Sequence, residues 1–217
     1  MISETVLAKA KEFFPDLEIK YKDESTLMKI VGRILFFNKS FMTNFTTTLG
    51  STIYFPNKKF EQLRPISALV ILLHELVHVH DSKKWSRILF SFLYLFPLTL
   101  AVLLLPFLFL SWKIFLPLII LSLCPVPAYF RMLFEKRAYL VSLYCTYQFS
   151  IKKQFTTNLD NAAVSYLSNF KDSSYYFMWT FKNLDKEFAD AIVKVRAGQK
   201  PYEDPVFEMI DKVLEVC

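Results

Sequence analysis

The feature that most constrains the fold is a pair of uncharged apolar runs in the middle of the chain. Residues 88–110 read ILFSFLYLFPLTLAVLLLPFLFL and residues 114–130 read IFLPLIILSLCPVPAYF, with only Ser111, Trp112 and Lys113 between them. A helix that spans a bilayer needs about 20 apolar residues, with about 17 as the lower limit. The two runs therefore predict a transmembrane helical hairpin. The alternative is a helical hairpin buried in the core of a soluble protein.

The composition favours the membrane interpretation. Hydrophobic residues make up 53% of the 217 positions, and Phe alone accounts for 23 of them. Prolines within the two runs are tolerated better in membrane helices, where neighbouring helices satisfy the freed backbone groups. They also predict kinks or a re-entrant second segment. These prolines are Pro97, Pro106, Pro117, Pro125 and Pro127.

Charges around the runs predict the orientation. Lys113 is the one basic residue of the intervening turn, whereas basic residues flank both outer ends: Lys83, Lys84, Arg87, Arg131, Lys136 and Arg137. The positive-inside rule then places both termini in the cytoplasm. No signal peptide is expected in the polar first 24 residues. The net charge of +6 fits attraction to anionic lipids, and no nucleic-acid-binding motif is visible.

Outside the apolar runs the sequence predicts a mostly helical α+β domain with a small N-terminal β-sheet. Residues 28–55 contain β-branched and aromatic runs, which predict two or three strands, with Gly50 at a turn or bulge and Pro56 after the last strand. A helix is expected to begin at Pro65 and to extend to about residue 82. The predicted organisation is a first half of the domain, an inserted two-helix transmembrane hairpin, and a second half with further helices: 1–87, 88–130 and 131–217.

All three histidines of the chain lie within seven positions of that predicted helix, in ILLHELVHVH. His74, Glu75 and His78 form an H-E-x-x-H motif, and residues i and i+4 share a helix face, so both imidazoles can reach one metal ion. Glu75 borders the same face and can take a proton from a metal-bound water. The alternative is that the histidines are core residues with hydrogen-bond partners and that Glu75 is a surface glutamate. His80 points about 200° away from His78 and cannot share the ion.

A third ligand is expected from another helix, because a catalytic zinc site has three protein ligands and a water. Glu135 follows the second apolar run, in FEKRAYLV, and a hairpin would return it to the side of the H-E-x-x-H helix. Ala138, one turn later, would let the two helices approach closely. The alternative is an exposed glutamate at the head groups. Asp81 could accept a hydrogen bond from a ligand imidazole, or it could be a solvated residue at the helix end.

This order of motifs resembles the membrane gluzincin metalloproteases, which include the HtpX heat-shock protease and the CAAX-prenyl endopeptidases. In that family H-E-x-x-H is followed by a later E-x-x-A-D, often with a membrane hairpin between them. The resemblance covers roughly residues 46–140. It implies a zincin-like fold, zinc bound by His74, His78 and Glu135, and Glu75 as the general base.

The resemblance also implies that strands ahead of the active-site helix bind an extended substrate. TTTLGSTIYF, residues 46–55, occupies that place, with Thr48, Gly50 and Thr52 as candidate contacts. The family's Asp after the glutamate ligand is Tyr139 here, so the usual partner of a ligand imidazole is missing. Asp81 could replace it.

The sequence therefore predicts a zinc-dependent endopeptidase anchored by two transmembrane segments, with its active site in the cytoplasm. Its expected partners are a membrane-associated peptide or protein and the lipid bilayer, with no nucleic acid. The oxyanion donor stays open among Tyr175, Tyr176, Arg196 and Tyr202. One alternative is a zinc-binding protein that has lost activity. Another is a metal-free structural hairpin protein, in which His74 and Glu135 would lie too far apart to share an ion.

Overall fold

Two long helices form the centre of the structure, a computed structural model that describes residues 2–35, 38, 40–123, 128–152, 158–171, 178 and 183–217. Helix α4 (Pro65–Lys84) packs against α8 (Tyr129–Lys152). Both are buried along much of their length, within one hydrophobic core that draws side chains from the chain before and after the apolar region. The packing of α4 on α8 is what brings the H-E-x-x-H motif to Glu135.

The other helices surround this pair. Helices α5, α9 and α10 pack on α8, helices α3, α5 and α11 pack on α4, and α1 packs on α11. Their bounds are α1 Glu4–Phe13, α2 Thr26–Ile34, α3 Lys58–Leu63, α5 Arg87–Leu95, α6 Leu98–Leu104, a 3-10 turn Leu105–Phe107, α7 Leu108–Leu123, α9 Leu159–Lys171, α10 Leu184–Arg196 and α11 Val206–Leu214.

A small mixed sheet lies beside α4. Its strands are β1 (Glu18–Tyr21), β2 (Thr47–Leu49) and β3 (Thr52–Phe55), in the order β1-β3-β2. Strand β1 is parallel to β3, and β2 is antiparallel to it, with Thr48 opposite Ile53. Strand β2 is therefore an edge strand, and it contacts α4. The predicted fold class, mostly helical α+β with a small N-terminal sheet, is confirmed at this level.

The predicted turn and helix-start residues are confirmed. Gly50 connects β2 and β3 with φ at +63°, a conformation that glycine adopts without the strain of a side chain. Strand β3 ends at Phe55, directly before Pro56. Pro65 is the first residue of α4, where its missing N–H removes no helical hydrogen bond.

Residues 26–34 form a helix rather than the strand that their β-branched composition predicted. The Ser25 side chain accepts a hydrogen bond from the Met28 amide and caps the N-terminus of α2, which stabilises a helix start. Met28 and Val31 are three positions apart and both pack in a cluster with Phe41 and Tyr54. Helical spacing of the buried side chains therefore prevails over composition. Strand β1 was not predicted, because it is defined by its pairing with the distant strand β3.

The two-helix transmembrane hairpin is not observed. In the described residues one segment, Leu98–Ser122, is long and apolar enough to cross a membrane by length and composition. The first predicted span, 88–110, is interrupted at Pro97. Phe96 is extended and ends α5, because proline disfavours the helical conformation in the residue before it. A further break lies at Ser111, whose φ and ψ of −159° and 95° are not helical.

The apolar segment is exposed. Only 6% of its most apolar window is buried, and Phe109 and Leu110 are 96% and 76% exposed. Helix α6 packs against α7, so the chain folds back on itself within this region. The result is a large contiguous apolar surface, which soluble monomers rarely expose.

Candidate metal centre

Helices α4 and α8 place three metal-ligand atoms at one point. His74 and His78 lie one turn apart on α4, and their Nε2 atoms are 3.2 Å from each other. Glu135 of α8 approaches from the opposite side, with Oε2 3.3 Å from the His74 Nε2 and Oε1 3.5 Å from the His78 Nε2. All three side chains are buried, and together they could hold a metal ion.

The spacing of these atoms fits a small tetrahedral ion. Nitrogen and oxygen ligands at about 2.0–2.1 Å from zinc, in tetrahedral geometry, lie about 3.3 Å from one another. The two Nε2 atoms are 3.2 Å apart, and each lies close to one carboxylate oxygen of Glu135: Oε2 is 3.3 Å from His74 and Oε1 is 3.5 Å from His78. Two imidazoles and a carboxylate are also ligand types that zinc accepts in proteins. The residues present therefore fit zinc in both geometry and donor chemistry.

A hydrogen bond on α8 orients the first imidazole. The His74 Nδ1 lies 3.1 Å from the Ser142 Oγ, and the Ser142 hydroxyl donates its proton to the Ala138 carbonyl. The Ser142 oxygen can therefore accept a hydrogen bond from the His74 Nδ1–H, and in that tautomer the Nε2 lone pair points into the cluster. This arrangement leaves His74 in the tautomer that a metal ligand requires.

Glu135 presents one free oxygen to the cluster. The Tyr94 hydroxyl of α5 donates a hydrogen bond to Oε1, whereas Oε2 is buried with no hydrogen-bond partner in the described part of the chain. Burial raises the pKa of the Glu135 carboxyl, but the two imidazoles outweigh that effect and hold the pKa well below its usual range. An ionised, buried oxygen without a donor is costly, and a cation at the cluster would compensate it.

Asp81 does not take the place that the sequence analysis gave it. Its carboxylate is fully buried and forms an ion pair with Arg137 of α8, which also binds Asp204. The sequence analysis suggested that Asp81 could accept a hydrogen bond from a ligand imidazole, but the His78 Nδ1 has no hydrogen-bond partner among the described residues. Asp81 therefore contacts neither ligand imidazole and joins α4 to α8 instead.

Tyr139 lies at the position where the gluzincin proteases have an Asp, and its ring packs against the ring of His74. Its ring meets the His74 ring edge-on, with the centroids 4.7 Å apart. Its hydroxyl accepts a hydrogen bond from the Asn169 side chain. The hydrogen-bonding role is therefore taken by Ser142, one helical turn later, and Tyr139 packs beside the imidazole.

Glu75 lies next to the cluster and is held by the edge strand. Its Oε2 accepts a hydrogen bond of 2.6 Å from the Thr48 hydroxyl of β2. Lys22 adds a buried charge in this region: its ammonium donates to the Phe41 carbonyl at 2.8 Å, and burial lowers its pKa to about 7, an effect that the negative charge of Glu75 opposes. Sequence reasoning missed Lys22, since a single lysine directly after a short strand carries no signal.

The remaining predicted residues lie elsewhere. Gly50 and Thr52 lie in the β2–β3 hairpin, where Thr52 pairs with Leu49 and Glu18, and neither lines the cavities at the cluster. Among the oxyanion candidates, the Tyr202 hydroxyl donates to the Arg137 carbonyl and Arg196 binds Asp160. Tyr175 and Tyr176 lie outside the described residues.

His80 is separate from the metal-ligand group, as its position on α4 predicted. Its Nδ1 lies 3.5 Å from the Asp81 carboxylate. Burial lowers the pKa of its imidazole, and Arg137 lowers it further. His80 therefore belongs to the surroundings of the Asp81–Arg137 ion pair.

The structure thus unites His74, His78 and Glu135, with Glu75 beside them. The metal-free hairpin alternative required His74 and Glu135 to be far apart, and their separation of 3.3 Å contradicts it. No protein-family model, curated protein or solved structure matches this chain. The geometry and chemistry of the cluster are therefore the basis for assigning a function.

Proposed function

We propose that the protein is a zinc-dependent endopeptidase attached to a membrane. The observation that carries the proposal is the convergence of His74, His78 and Glu135 around a point where they could hold one metal ion, with the Glu75 carboxylate beside them. A site that only stored a metal ion would not require a carboxylate next to the ligands. A hydrolytic site does, because it needs a base for the attacking water.

The reaction assigns a proton-transfer role to Glu75. Zinc held by the three ligands would polarise a peptide carbonyl and lower the pKa of a water molecule to about 7. Thr48 occupies Oε2 of Glu75, which leaves Oε1 to remove a proton from the attacking water. The water oxygen adds to the carbonyl carbon, the C–N bond breaks, and Glu75 returns the proton to the leaving amine nitrogen.

Strand β2 is suited to bind the substrate backbone. It is an edge of the sheet and lies at the site through the contact between Thr48 and Glu75. An extended peptide can add to such an edge by main-chain hydrogen bonds. Of the three contacts that the resemblance implied, Thr48 is the one with a direct link to the proposed base.

The apolar segment supports attachment to a membrane by a segment that enters and leaves the bilayer on the same side. Helices α4 and α8 precede and follow the segment and pack together, so the chain must return to the side from which it entered. Helix α7 has 16 residues and is interrupted at Ser111, so it is at most about 24 Å long, which is shorter than the hydrocarbon core of about 30 Å. We propose that the segment enters the bilayer and returns, with the site on the cytoplasmic face that the flanking basic residues favour.

Metal analysis combined with a peptidase assay tests the proposal. Detergent-purified wild type should contain about one zinc per chain, and His74→Ala and Glu135→Ala should each lose it. Glu75→Gln should keep the zinc and lose hydrolysis, whereas His80→Ala should retain both. Zinc bound in Glu135→Ala would show that α4 and α8 do not form one site. Zinc without hydrolysis in wild type would favour the alternative of a metal-binding protein without activity.

A further inference from the structure

The candidate metal centre lies where two cavities meet, one of which has a more polar lining than the other. One has a volume of about 360 Å³ and lies between α2, β2 and α5. The other, of about 430 Å³, lies between α4, α8 and α9. His74 and Glu75 line both cavities, so a substrate that reaches across the centre would extend into the two at once.

The first cavity is apolar. Aliphatic and aromatic side chains dominate its lining, among them Leu27, Val31, Leu49, Phe90 and Leu95. Among the described residues of the lining, the only charged side chains belong to the candidate metal centre and Glu75. A large apolar side chain placed there is removed from water, which is worth about 1.5–3 kcal/mol for full burial. This compartment therefore favours leucine-like or aromatic residues.

The second cavity is rich in uncharged polar groups. Apolar side chains of α4 form part of its lining, and beside them are hydroxyl and amide side chains: Asn44, Thr46, Ser142, Ser165 and Asn169. The Thr46 hydroxyl oxygen is buried with no hydrogen-bond partner in the described ranges, and such a group gains free energy when a ligand supplies a partner. This compartment therefore favours a side chain that can form hydrogen bonds.

The direction of the edge strand relates the two cavities to the direction of a bound peptide. Residues 44–46 line the polar cavity and residues 47–49 line the apolar one. A peptide that pairs antiparallel with β2 runs the opposite way, so its N-terminal side meets the apolar cavity and its C-terminal side the polar one. Antiparallel pairing is the more stable arrangement per residue, and β2 already pairs antiparallel with β3.

We infer that the protein binds peptides with a large apolar residue before the scissile bond and an uncharged polar residue after it. The inference rests on the proposed function for the existence of a scissile bond. It goes further by fixing the direction of the peptide and the side-chain class on each side. Neither cavity places a Lys or Arg in its lining, so acidic residues gain no partner at either position.

Two peptides of the same composition test the inference. One carries Leu-Ser at its centre and the other Ser-Leu, each flanked by alanines. Binding to the zinc-loaded Glu75→Gln variant in detergent, measured by fluorescence anisotropy, should be at least about tenfold tighter for the Leu-Ser peptide, as expected for a matched apolar pocket. Equal binding, or tighter binding of the Ser-Leu peptide, overturns the inference.

Hydrolysis by wild type separates this inference from the proposed function. Mass spectrometry should show cleavage between Leu and Ser in the first peptide. If the Leu-Ser peptide binds more tightly to Glu75→Gln and wild type hydrolyses neither peptide, the inference about the cleft stands and the proposed peptidase function fails. Hydrolysis with a preference for Ser-Leu would leave the proposed function standing and overturn the inference.

Matched variants assign the preference to the cavities. Val31→Phe reduces the volume of the apolar compartment and should lower the binding of the Leu-Ser peptide by about tenfold. Ile34→Phe, on the same helix but outside the cavity lining, should leave it unchanged. Asn169→Leu should reduce the preference for Leu-Ser over Ser-Leu. Equal effects of Val31→Phe and Ile34→Phe would show that the apolar cavity does not receive the side chain, and would overturn the inference.

Discussion

At the residue scale, Tyr94 determines which oxygen Glu135 offers to a metal ion. Its hydroxyl binds Oε1 and leaves Oε2 buried without a hydrogen-bond donor among the described residues. Tyr94→Phe keeps the ring that contacts His78 and removes only the hydroxyl. Because such supporting hydrogen bonds typically contribute 10–100-fold to metal affinity, we expect zinc to bind about 10–100-fold more weakly, as measured by competition with a chromogenic chelator.

Cobalt substitution shows whether the change lies in the orientation of Glu135. With Oε1 released, the carboxylate can bind through both oxygens, and the visible absorption of Co²⁺ should weaken as the coordination number rises. Tyr147→Phe is the matched control, because the Tyr147 hydroxyl donates to the Arg196 carbonyl away from the site. An unchanged zinc affinity together with an unchanged cobalt spectrum in Tyr94→Phe would refute the role.

Lys22 makes the stability depend on pH. Burial lowers its pKa to about 7 in the folded protein, whereas the pKa of an unperturbed lysine is about 10.4. Between these values the unfolded chain binds more protons, so the contribution of Lys22 to the free energy of unfolding rises with pH. The free energy of unfolding of Lys22→Met relative to that of wild type should therefore fall between pH 7 and 9, by up to about 1.4 kcal/mol per pH unit.

Denaturant unfolding at pH 7 and pH 9 measures this change. Lys29→Met removes an exposed lysine of α2 and should show the same pH dependence as wild type. A stability difference between Lys22→Met and wild type that stays constant from pH 7 to 9 would contradict the assignment of a neutral, buried amine at the higher pH.

The candidate metal ligands could be predicted from sequence because their signal is local or follows from a return of the chain. His74 and His78 are one turn apart, and Glu135 lies in the second turn of the helix that comes back after the apolar region. The supporting residues could not be predicted. Ser142 is 68 positions from His74 and Tyr94 is 41 positions from Glu135, and such pairs depend on the packing of whole helices.

At the element scale, a buried ion pair fastens α4 to α8 beside the metal ligands. Asp81 is fully buried, and Arg137 bridges it to Asp204. Removing one partner of a buried pair leaves an uncompensated charge, which typically costs 3–5 kcal/mol. We therefore expect Arg137→Met to lower the free energy of unfolding by about 3–5 kcal/mol in denaturant titrations.

The neighbouring lysine provides the control. Lys136 pairs with Glu187, which is more than a third exposed, so Lys136→Met should cost no more than about 1 kcal/mol, as for surface pairs. Similar decreases in the free energy of unfolding of Arg137→Met and Lys136→Met would show that the Asp81–Arg137 pair stabilises the contact between the helices no more than a surface ion pair does.

The helix and strand boundaries that depend on Gly and Pro were the most predictable, and those that depend on tertiary contacts were the least predictable. Gly50, Pro56 and Pro65 restrict the backbone by their own chemistry, so their effects are independent of the surroundings. Helix α2 was predicted as a strand because its β-branched residues were weighed above its capping serine and its helical spacing. Strand β1 is a short, polar segment that is defined by its pairing with β3.

At the scale of the whole molecule, the exposed apolar segment should hold the protein to membranes. Phe109 and Leu110 are among its most exposed side chains, and an aspartate in the bilayer core costs about 2.5–3.5 kcal/mol. A Phe109→Asp/Leu110→Asp variant should therefore move from the membrane fraction to the soluble or aggregated fraction. Membrane flotation followed by immunoblotting measures the distribution.

Apolar residues outside the segment supply the control. Val164 and Val193 are 66% and 69% exposed, and Val164→Asp/Val193→Asp should leave the protein with the membranes. Equal release by the two double variants would indicate general destabilisation. Retention of Phe109→Asp/Leu110→Asp would refute membrane attachment through this segment.

The predicted number of apolar spans was wrong, and this is the largest difference between the predicted and the observed fold. Counting uncharged residues treats 88–110 as one helix, but Pro97 divides it and the remaining apolar residues fold back as α6 on α7. The return of the chain was nevertheless predicted, since α4 and α8 lie side by side. Composition reports how apolar a region is, whereas its path depends on where the helices are interrupted.

The separation of the ligands along the chain also sets an order of events during synthesis. His74 and His78 are made more than fifty residues before Glu135, and the apolar region lies in between. At about 5–20 residues added per second, the histidines precede the glutamate by roughly 3–11 s. A nascent chain therefore carries two ligands but no complete centre until the apolar region has left the ribosome. The proposed hydrolytic activity can thus begin only after the segment proposed to attach the protein to the membrane has been produced.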